Sequence, residues 1–287
     1  MSMAAVEGAA VEDRAFRRSE GLPCDDSSCG GSTTGVVHRH AVVVTAAGSS
    51  VRFNESTTGS FDCGCITKAD SSVSCDSKAK KEFLEIDGVP ILARSIAPFL
   101  SVPGLAVVVV TYREGLREET ADCLRCLGED AMAMIHFVEG GSTRQDSVFN
   151  ALSHLKELHA NGLAFDLVSI HDGARPFVSK ETIERCLGAA FEFGGAAPCV
   201  PISDTLVKEE DGFVAGRVDR TGVHGVQTPQ TFRFPDIFDA HVKARCTDCA
   251  YTDDTQVFAA FGGRVAAVPG DPRNRKITFR KDLEGHR

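Results

Sequence analysis

The chain has 287 residues, of which 43% are hydrophobic, and it carries a net charge of −9 with no Trp. This length can bury a full core, while an acidic chain without a basic run excludes a general nucleic-acid-binding protein. No apolar stretch approaches the roughly 20 residues that span a bilayer, and acidic residues interrupt the N-terminal segment where a secretory signal needs an apolar core. Composition therefore predicts a cytoplasmic protein without a membrane or nucleic-acid partner.

Residues 1–40 are polar and lack hydrophobic periodicity, which predicts a disordered N-terminal extension. An apolar strand then runs into a small-residue turn, in AVVVTAAGSSVRF. Ala46, Ala47 and Gly48 carry little or no side chain, so a phosphate could approach their N–H groups, with Arg52 as a nearby positive charge. The alternative is that the turn is small for packing reasons alone, as at many strand ends.

The domain over 41–287 contains a segment, 54–78, that is dense in Ser, Thr, Asp and Cys and is predicted to form an inserted flexible loop. After it, β-rich apolar runs alternate with helix-like stretches. The predicted strands are Leu105–Thr111, Met132–Val138, Leu167–His171, Ala196–Pro201 and Arg264–Val268. The predicted helices are Pro90–Leu100, Glu114–Leu127, Ser142–Leu158, Lys180–Phe193 and Thr252–Phe261.

Strands that are apolar throughout and alternate with helices predict an α/β fold, with a three-layer, mostly parallel (Rossmann-like) sheet. Ligands of such sheets bind beyond the carboxyl ends of the strands. Four predicted strand ends carry polar motifs, and these are AAGSSVR, EGGSTRQDSV, HDGARP and PISDT. We therefore expect the functional site at this edge of the sheet.

Residues 203–222 break the alternation, because two short β-like stretches flank Asp211-Gly212, a strong hairpin-turn signal. Such an arm is too small to fold alone and is normally stabilised by packing on another surface. A symmetry-related copy is one such surface, which predicts a homodimer. The alternative is a hairpin that lies on its own domain.

The chain has 11 cysteines, and two C-x-x-C pairs, Cys123/Cys126 and Cys246/Cys249, have the spacing of a four-thiolate zinc site. Both pairs lie in helix-like segments without the glycines usual in zinc knuckles. Reduced thiols are therefore the favoured interpretation, and zinc is the alternative.

Nine motifs in this chain together resemble the 2-C-methyl-D-erythritol 4-phosphate cytidylyltransferases. In chain order they are AAGSSVRF, KKEFLEIDG, GGSTRQDSV, HDGARP, SDT, VDRTGV, QTPQTF, TDD and NRKIT. The resemblance covers roughly Ala41 to Leu283. It implies transfer of a cytidylyl group from CTP to methylerythritol phosphate, with Mg2+ and with release of pyrophosphate, in non-mevalonate isoprenoid biosynthesis.

Such a reaction brings two polyanions together, so the site needs cations that offset the charge on the transferred phosphoryl group and on the leaving pyrophosphate. Arg52, Lys81 and Lys276 match the phosphate-binding basic residues of the family and are the predicted catalytic residues. No nucleophilic side chain is required. Lys78 and Lys80 are assigned to the solvated surface, which is the usual place of a lone lysine.

The resemblance also implies a nucleotide site. The predicted CTP-binding residues are Ala46, Ala47, Gly48, Gly140, Gly141, Arg144, Ser147, Asp172 and Ala174. Asp172 is in addition the predicted Mg2+ ligand, and Arg175 is expected to orient it. The alternatives are local, because Asp172 could cap a turn with Arg175 as its partner, and Ser142 and Ser147 also fit an ordinary helix start.

For the sugar phosphate, the family positions are matched by Thr205, Arg220, Thr228 and Arg175. Thr205 and Arg220 bracket the arm, and in the family the corresponding residues reach the substrate of the neighbouring subunit. An arginine can clamp a phosphate with two parallel hydrogen bonds. The alternative role for the arm residues is dimer packing.

The chain departs from the family pattern at three places. Ser50 or Val51 stands where the family usually has glycine, and Lys80-Lys81-Glu82 replaces Pro-Lys-Gln. The insertion over 54–78 replaces a short connection, so it is either a lid beside the triphosphate or a tolerated loop.

Two competing functions remain open from the sequence. A ribitol 5-phosphate cytidylyltransferase shares the fold and most motifs, and a nucleotide-binding regulator could have kept the fold without turnover. A sugar-transferring enzyme is disfavoured, because no D-x-D metal motif stands at a strand end. Some family members are fused to the cyclodiphosphate synthase of the same pathway, an activity that this chain is expected to lack.

Overall fold

The computed structural model describes residues 37–48, 50, 53, 80–247 and 249–283. Arg52, the insertion over 54–78 and residues 1–36 of the predicted extension lie outside the described residues. The predicted boundary of that extension is wrong at its end. His40 lies in the first strand and is fully buried, because its backbone already pairs with neighbouring strands.

Twelve strands and seven α-helices are formed by the described residues. The strands are β1 His40–Thr45, β2 Glu85–Ile86, β3 Val89–Pro90, β4 Leu105–Tyr112, β5 Ile135–Glu139, β6 Leu167–Asp172, β7 Gly195–Pro201, β8 Leu206–Glu210, β9 Phe213–Val218, β10 His224–Val226, β11 Gln230–Arg233 and β12 Val265–Pro269. The helices are α1 Ile91–Leu100, α2 Arg117–Asp122, α3 Glu129–Ala133, α4 Arg144–Ala160, α5 Lys180–Phe193, α6 Phe234–Ala244 and α7 Asp254–Ala260. No described helix has the length and apolar character to cross a membrane.

Eight strands form one mixed sheet in the order β10-β7-β11-β6-β1-β4-β5, and β12 pairs with β7. Its core is parallel, because β1 pairs in parallel with both β4 and β6, and β4 with β5. The short strand β11 runs antiparallel between β6 and β7. The predicted α/β fold with a mostly parallel sheet is confirmed, with antiparallel additions at β10 and β11.

The alternation of side chains along β1 explains the three layers. Val42 and Val44 pack in one apolar cluster with Leu92 of α1 and with residues of α5. Ala41 and Val43 pack in a second cluster with residues of α4, α6 and α7. A strand covered on both faces can be apolar at every position, which is the pattern that the sequence shows.

Two predicted elements differ from the structure, and one helix was not predicted. The strand predicted from Met132 starts at Ile135, because Glu129–Ala133 forms α3 instead. The helix predicted over Glu114–Leu127 is split into α2 and a 3-10 turn, and Gly128, at a φ of 92°, ends that turn. Helix α6 was missed, although Pro235 in its first turn is a helix-start signal.

The predicted hairpin is present as β8 and β9, which, among the described strands, pair only with each other. Asp211 and Gly212 have φ of 52° and 84°, the left-handed conformation that a tight two-residue turn requires. Phe213 and Val214 are 78% and 71% exposed. The hairpin thus carries apolar side chains that its own domain does not cover, and its role as a dimer arm stays a prediction.

The buried His40 predicts a loss of stability in acid. Burial lowers the pKa of His40 to about 4, whereas the unfolded chain titrates near 6.5. The unfolded state therefore takes up the proton first, and stability falls as the pH drops from 6.5 toward 4. We expect His40→Leu to remove about 2 kcal/mol of the decrease in unfolding free energy between pH 7 and pH 5, measured by urea denaturation.

His224 is the matched control, because it is exposed. His224→Leu should leave the pH dependence of the wild-type protein intact. If unfolding free energy falls equally with pH in the wild type and in His40→Leu, the role of His40 in acid destabilisation is contradicted.

Candidate active site

A cavity of about 820 Å3 lies at the carboxyl ends of the parallel strands. Its described lining residues are Thr45, Ala47, Gly48, Ser50, Phe53, Lys81, Glu82, Arg113, Glu114, Glu139, Gly140, Gly141, Ser142, Thr143, Arg144, Ser147, Asp172, Ala174, Lys276 and Thr278. The motifs that follow β1, β5 and β6 meet there, as the strand-end argument predicted. The motif PISDT after β7 does not, because the chain continues from it into the hairpin.

The turn after β1 forms one wall of the cavity through Ala47 and Gly48. Ala46 lies beneath this wall and is buried. Its N–H donates to Thr111 Oγ1 over 3.1 Å, and its carbonyl accepts from Lys80 Nζ. Ala46 thus anchors the turn through the protein interior, and its contact with a nucleotide stays a prediction.

Lys80 was predicted to be a surface lysine, and this is wrong. Its side chain is packed inside the protein with 6% of the residue exposed. Desolvation lowers the pKa of its ammonium group, which the neighbouring Glu82 carboxylate opposes. A lysine can be buried here because the Ala46 carbonyl accepts its hydrogen bond.

The turn after β5 faces the first turn at very close range. A Cβ on Gly140 would collide with Ala47 Cβ and would lie 2.9 Å from Ser147 Oγ. Ser147 Oγ holds this turn in place, since it accepts from the Gly141 N–H at 3.0 Å and donates to the Thr143 carbonyl at 2.9 Å. Glycine is therefore required at 140 for the two turns to approach each other.

Helix α4 begins at this second turn. Thr143 caps it in a capping box with Asp146, so that each side chain accepts from the backbone N–H of the other residue. The partial positive charge at the N-terminus of the helix points toward the cavity, where Ser142, Thr143 and Arg144 belong to the lining. This end of the helix favours an anionic ligand.

Asp172 is the last residue of β6, and its carboxylate forms ion pairs with three basic side chains. Lys276 Nζ lies 2.9 Å from its Oδ2, Arg175 Nε lies 3.4 Å from the same oxygen, and Arg144 Nε lies 3.5 Å from Oδ1. Burial alone would raise the pKa of Asp172, but Lys276, Arg144 and Arg175 outweigh it and hold that pKa well below its usual range. Asp172 is therefore ionised at neutral pH, and it gathers the basic residues at one point.

The predicted catalytic lysines both line the cavity. Lys81 Nζ donates to the Ile277 carbonyl at 2.9 Å, which brings the 3-10 turn Lys81–Phe83 against the C-terminal segment that carries Lys276. The structure thus brings together Lys81, Lys276 and eight of the nine predicted nucleotide residues, all except Ala46. These eight are Ala47, Gly48, Gly140, Gly141, Arg144, Ser147, Asp172 and Ala174.

The predicted sugar-phosphate residues lie elsewhere. Arg175 is behind Asp172, where its Nη1 also donates to the Asn274 carbonyl at 2.8 Å. Thr228 is buried, and its hydroxyl accepts from the Asp172 N–H at 3.1 Å and lies 2.9 Å from His171 Nδ1. Both residues support Asp172 in this chain, and their contact with a substrate stays a prediction.

Thr205 and Arg220 are exposed at the base of the hairpin and are not part of the cavity lining. Arg220 Nη1 donates to the carbonyl of Ser203 and lies 3.5 Å from that of Asp204. These contacts join Arg220 to the two residues that precede Thr205. Their role across a subunit boundary stays a prediction.

Sequence reasoning missed several lining residues, among them Arg113, Glu114, Phe53 and Thr278. Arg113 and Glu114 follow β4 directly, so the rule that singled out the other strand ends would have found them. Phe53 and Thr278 end the motifs AAGSSVRF and NRKIT, but only the tertiary fold places them at the cavity.

Neither cysteine pair belongs to the described lining of this cavity. Cys126, Cys246 and Cys249 are exposed, and the Cys123 thiol donates to the Thr120 carbonyl over 3.2 Å. Burial raises the pKa of Cys123 to about 12. Within the described ranges, no three His, Cys, Asp or Glu side chains are grouped to hold a metal ion.

Comparison with known proteins identifies relatives over most of the chain. The sequence model of the IspD family, 2-C-methyl-D-erythritol 4-phosphate cytidylyltransferase, matches residues 65–285. The protein of that name from Clostridium botulinum is 37% identical over 71% of this chain and 87% of its own length. The bifunctional enzyme IspD/IspF of Rhodospirillum rubrum is 38% identical over 71% of this chain and 50% of its own length.

Solved structures agree with this similarity. The 2-C-methyl-D-erythritol 4-phosphate cytidylyltransferase of Thermus thermophilus superposes with a TM-score of 0.60 at 34% identity, over 71% of this chain and 90% of that one. The 4-diphosphocytidyl-2C-methyl-D-erythritol synthase of Anaerococcus prevotii has a TM-score of 0.66 at 23% identity, over 87% and 94%. At the lower identity the likeness concerns the fold alone.

The contact between the two turns predicts opposite effects of one substitution at two glycines. Gly140→Ala forces a methyl group into Ala47 and should cost about 1–3 kcal/mol of unfolding free energy. Gly48→Ala meets no atom within 4 Å and should change stability by less than about 1 kcal/mol, toward greater stability. Urea denaturation of both variants measures this, and equal destabilisation would contradict it.

Proposed function

The chain belongs to the 2-C-methyl-D-erythritol 4-phosphate cytidylyltransferase family, and we infer that it transfers a cytidylyl group from CTP to 2-C-methyl-D-erythritol 4-phosphate. The products are pyrophosphate and 4-diphosphocytidyl-2-C-methyl-D-erythritol, an intermediate of non-mevalonate isoprenoid biosynthesis. A cytoplasmic location stays a prediction from the N-terminal sequence.

The observation that carries this proposal is the arrangement of phosphate-binding groups around one cavity. Two glycine-containing turns, at Gly48 and at Gly140, and the N-terminus of α4 border it. Lys81 and Lys276 contribute cations to the same space. Backbone N–H groups, a helix N-terminus and ammonium groups are the features that bind a triphosphate.

In the proposed reaction an oxygen of the sugar phosphate attacks the α-phosphorus of CTP. The new P–O bond forms as the bond from the α-phosphorus to the bridging oxygen breaks, and pyrophosphate leaves with the electron pair. The attacking oxygen is already anionic, so no side chain has to remove a proton. Lys81, Lys276 and, by family resemblance, Arg52 stabilise the charge that grows on the phosphoryl oxygens and on the leaving group.

The residues present fit a divalent cation shared with the triphosphate. Mg2+ is commonly bound by one or two carboxylates together with substrate phosphates, and Asp172 supplies a carboxylate that is ionised and borders the cavity. Bound there, Mg2+ would neutralise phosphate charge during the transfer. Lys276, whose side chain is 35% exposed, can turn from Asp172 to a phosphate oxygen.

The arm extends the proposal to a homodimer. Phe213 and Val214 are uncovered at the hairpin turn, and Arg220 and Thr205 stand at its base. In a dimer the tip would bury its apolar side chains on a second copy. Arg220 would then clamp the phosphate of the sugar substrate in the neighbouring cavity.

The proposed reaction is tested by pyrophosphate release from CTP and Mg2+, with methylerythritol 4-phosphate and ribitol 5-phosphate offered separately. We expect release with the first substrate, and about a 100-fold lower kcat for Lys276→Gln, because a cation that stabilises the transition state is lost. Lys281→Gln is the matched control, since Lys281 does not line the cavity. Preference for ribitol 5-phosphate would overturn the substrate assignment, and no release with either would favour a binding-only protein.

The proposed dimer arm predicts that two variants share one kinetic effect but differ in oligomeric state. Phe213→Asp should split the dimer, measured by light scattering after gel filtration, and Arg220→Lys should leave it intact. Both should raise KM for the sugar phosphate about tenfold. In Phe213→Asp, Arg220 no longer reaches the neighbouring cavity, and in Arg220→Lys a lysine cannot reproduce the two parallel hydrogen bonds of an arginine. CTP affinity should stay near the wild-type value in Arg220→Lys, and an unchanged KM for the sugar phosphate would contradict the role of Arg220.

A further inference from the structure

A buried carboxylate outside the cavity contacts one of the residues that line it. Asp254, the first residue of α7, is 1% exposed. Its Oδ2 lies 2.8 Å from Arg144 Nη1, and its Oδ1 lies 3.2 Å from His241 Nε2. Asp254 therefore connects the cavity wall to the interior of the protein.

The backbone of Asp254 is fixed as firmly as its side chain. Gln230 Oε1, on β11, accepts from the N–H groups of Asp254 and Thr255 at 3.0 and 3.2 Å. Gln230 Nε2 in turn donates to Asp253 Oδ2 at 3.1 Å. His241 on α6 is fully buried and holds the other carboxylate oxygen. The start of α7 is thus held by two neighbouring elements of the fold.

Arg144 lies between two carboxylates that contact it unequally. Its Nη1 is 2.8 Å from Asp254, whereas its Nε is 3.5 Å from Asp172. Asp172 already accepts Lys276 and Arg175. Without Asp254, the guanidinium would be free to turn fully onto Asp172.

We propose that Asp254, oriented by His241 and Gln230, is a positioning residue that holds Arg144 for CTP. It keeps the guanidinium against the cavity wall, where the exposed 29% of the Arg144 side chain can contact the nucleotide. It also prevents Arg144 from forming a closer ion pair with the Asp172 carboxylate. The identity of the ligand as CTP rests on the proposed function, and neither Asp254 nor His241 touches the reacting groups.

The test is CTP binding in Mg2+ by isothermal titration calorimetry. Asp254→Asn removes the charge but keeps the shape, and we expect CTP Kd to rise about tenfold. Asp239→Asn is the matched control, because it removes a carboxylate charge at an exposed position of α6, and CTP Kd should change less than about twofold. An unchanged Kd in Asp254→Asn would overturn the proposal.

A double-variant comparison separates positioning from a merely structural role. If Asp254 acts through Arg144, the variant Asp254→Asn with Arg144→Gln should bind CTP no more weakly than Arg144→Gln alone. Losses that multiply would mean that Asp254 acts independently of Arg144, and they would overturn the proposal. Circular dichroism and thermal unfolding confirm that each variant is folded.

A pair of His241 variants decides the question if Asp254→Asn does not fold. His241→Gln keeps a nitrogen donor near the Asp254 oxygen, and it should retain CTP affinity within about threefold, whereas His241→Leu should lose about tenfold. Equal affinities in the two variants would overturn the proposal. Wild-type protein that binds CTP without releasing pyrophosphate would defeat the proposed function and leave these binding comparisons valid.

Discussion

The architecture of the site depends on one buried charge, the carboxylate of Asp172. Taking it out of water is costly, and the fold offsets that cost with Lys276, Arg144 and Arg175, which come from three separate parts of the chain. The C-terminal segment, the start of α4 and the turn after β6 are thereby tied to the end of the central sheet. A phosphate that enters the cavity meets cations whose positions have already been set by this carboxylate. The same ion pairs therefore hold the fold together and position the cations of the site.

A second constraint is the approach of the two turns that follow β1 and β5. The strands themselves are separated by β4 in the sheet, so their turns touch only because Gly140 has no side chain and Ala47 has a small one. Ser147 and Lys80 then hold the backbone of each turn from behind. A methyl group added at position 140 would force the two turns apart. This explains why small residues stand at the ends of both strands.

The sheet, its parallel core and the edge that carries the cavity were predictable, because strands covered on both faces are apolar at every position and ligand motifs follow their carboxyl ends. Arg113 was within reach of the same rule. Lys80 was not, because an isolated lysine in a sequence gives no sign that a carbonyl such as that of Ala46 will accept its hydrogen bond. The split of the helix over Glu114–Leu127 also escaped, since apolar periodicity persists through a tightened turn.

By itself, the sequence determined the α/β class, the family and half of the described residues that line the cavity, because these depend on local patterns and on motifs in fixed order. The tertiary structure alone decided which of those residues touch and which stand behind them. Arg175 belongs to the same motif as Asp172, and Thr228 belongs to QTPQTF, yet both lie beneath the Asp172 carboxylate. Asp254 and Arg144 are far apart along the chain, and only the packing of α7 against α6 and β11 creates their contact. Such long-range contacts arise from the summed packing of whole elements, which no local pattern encodes.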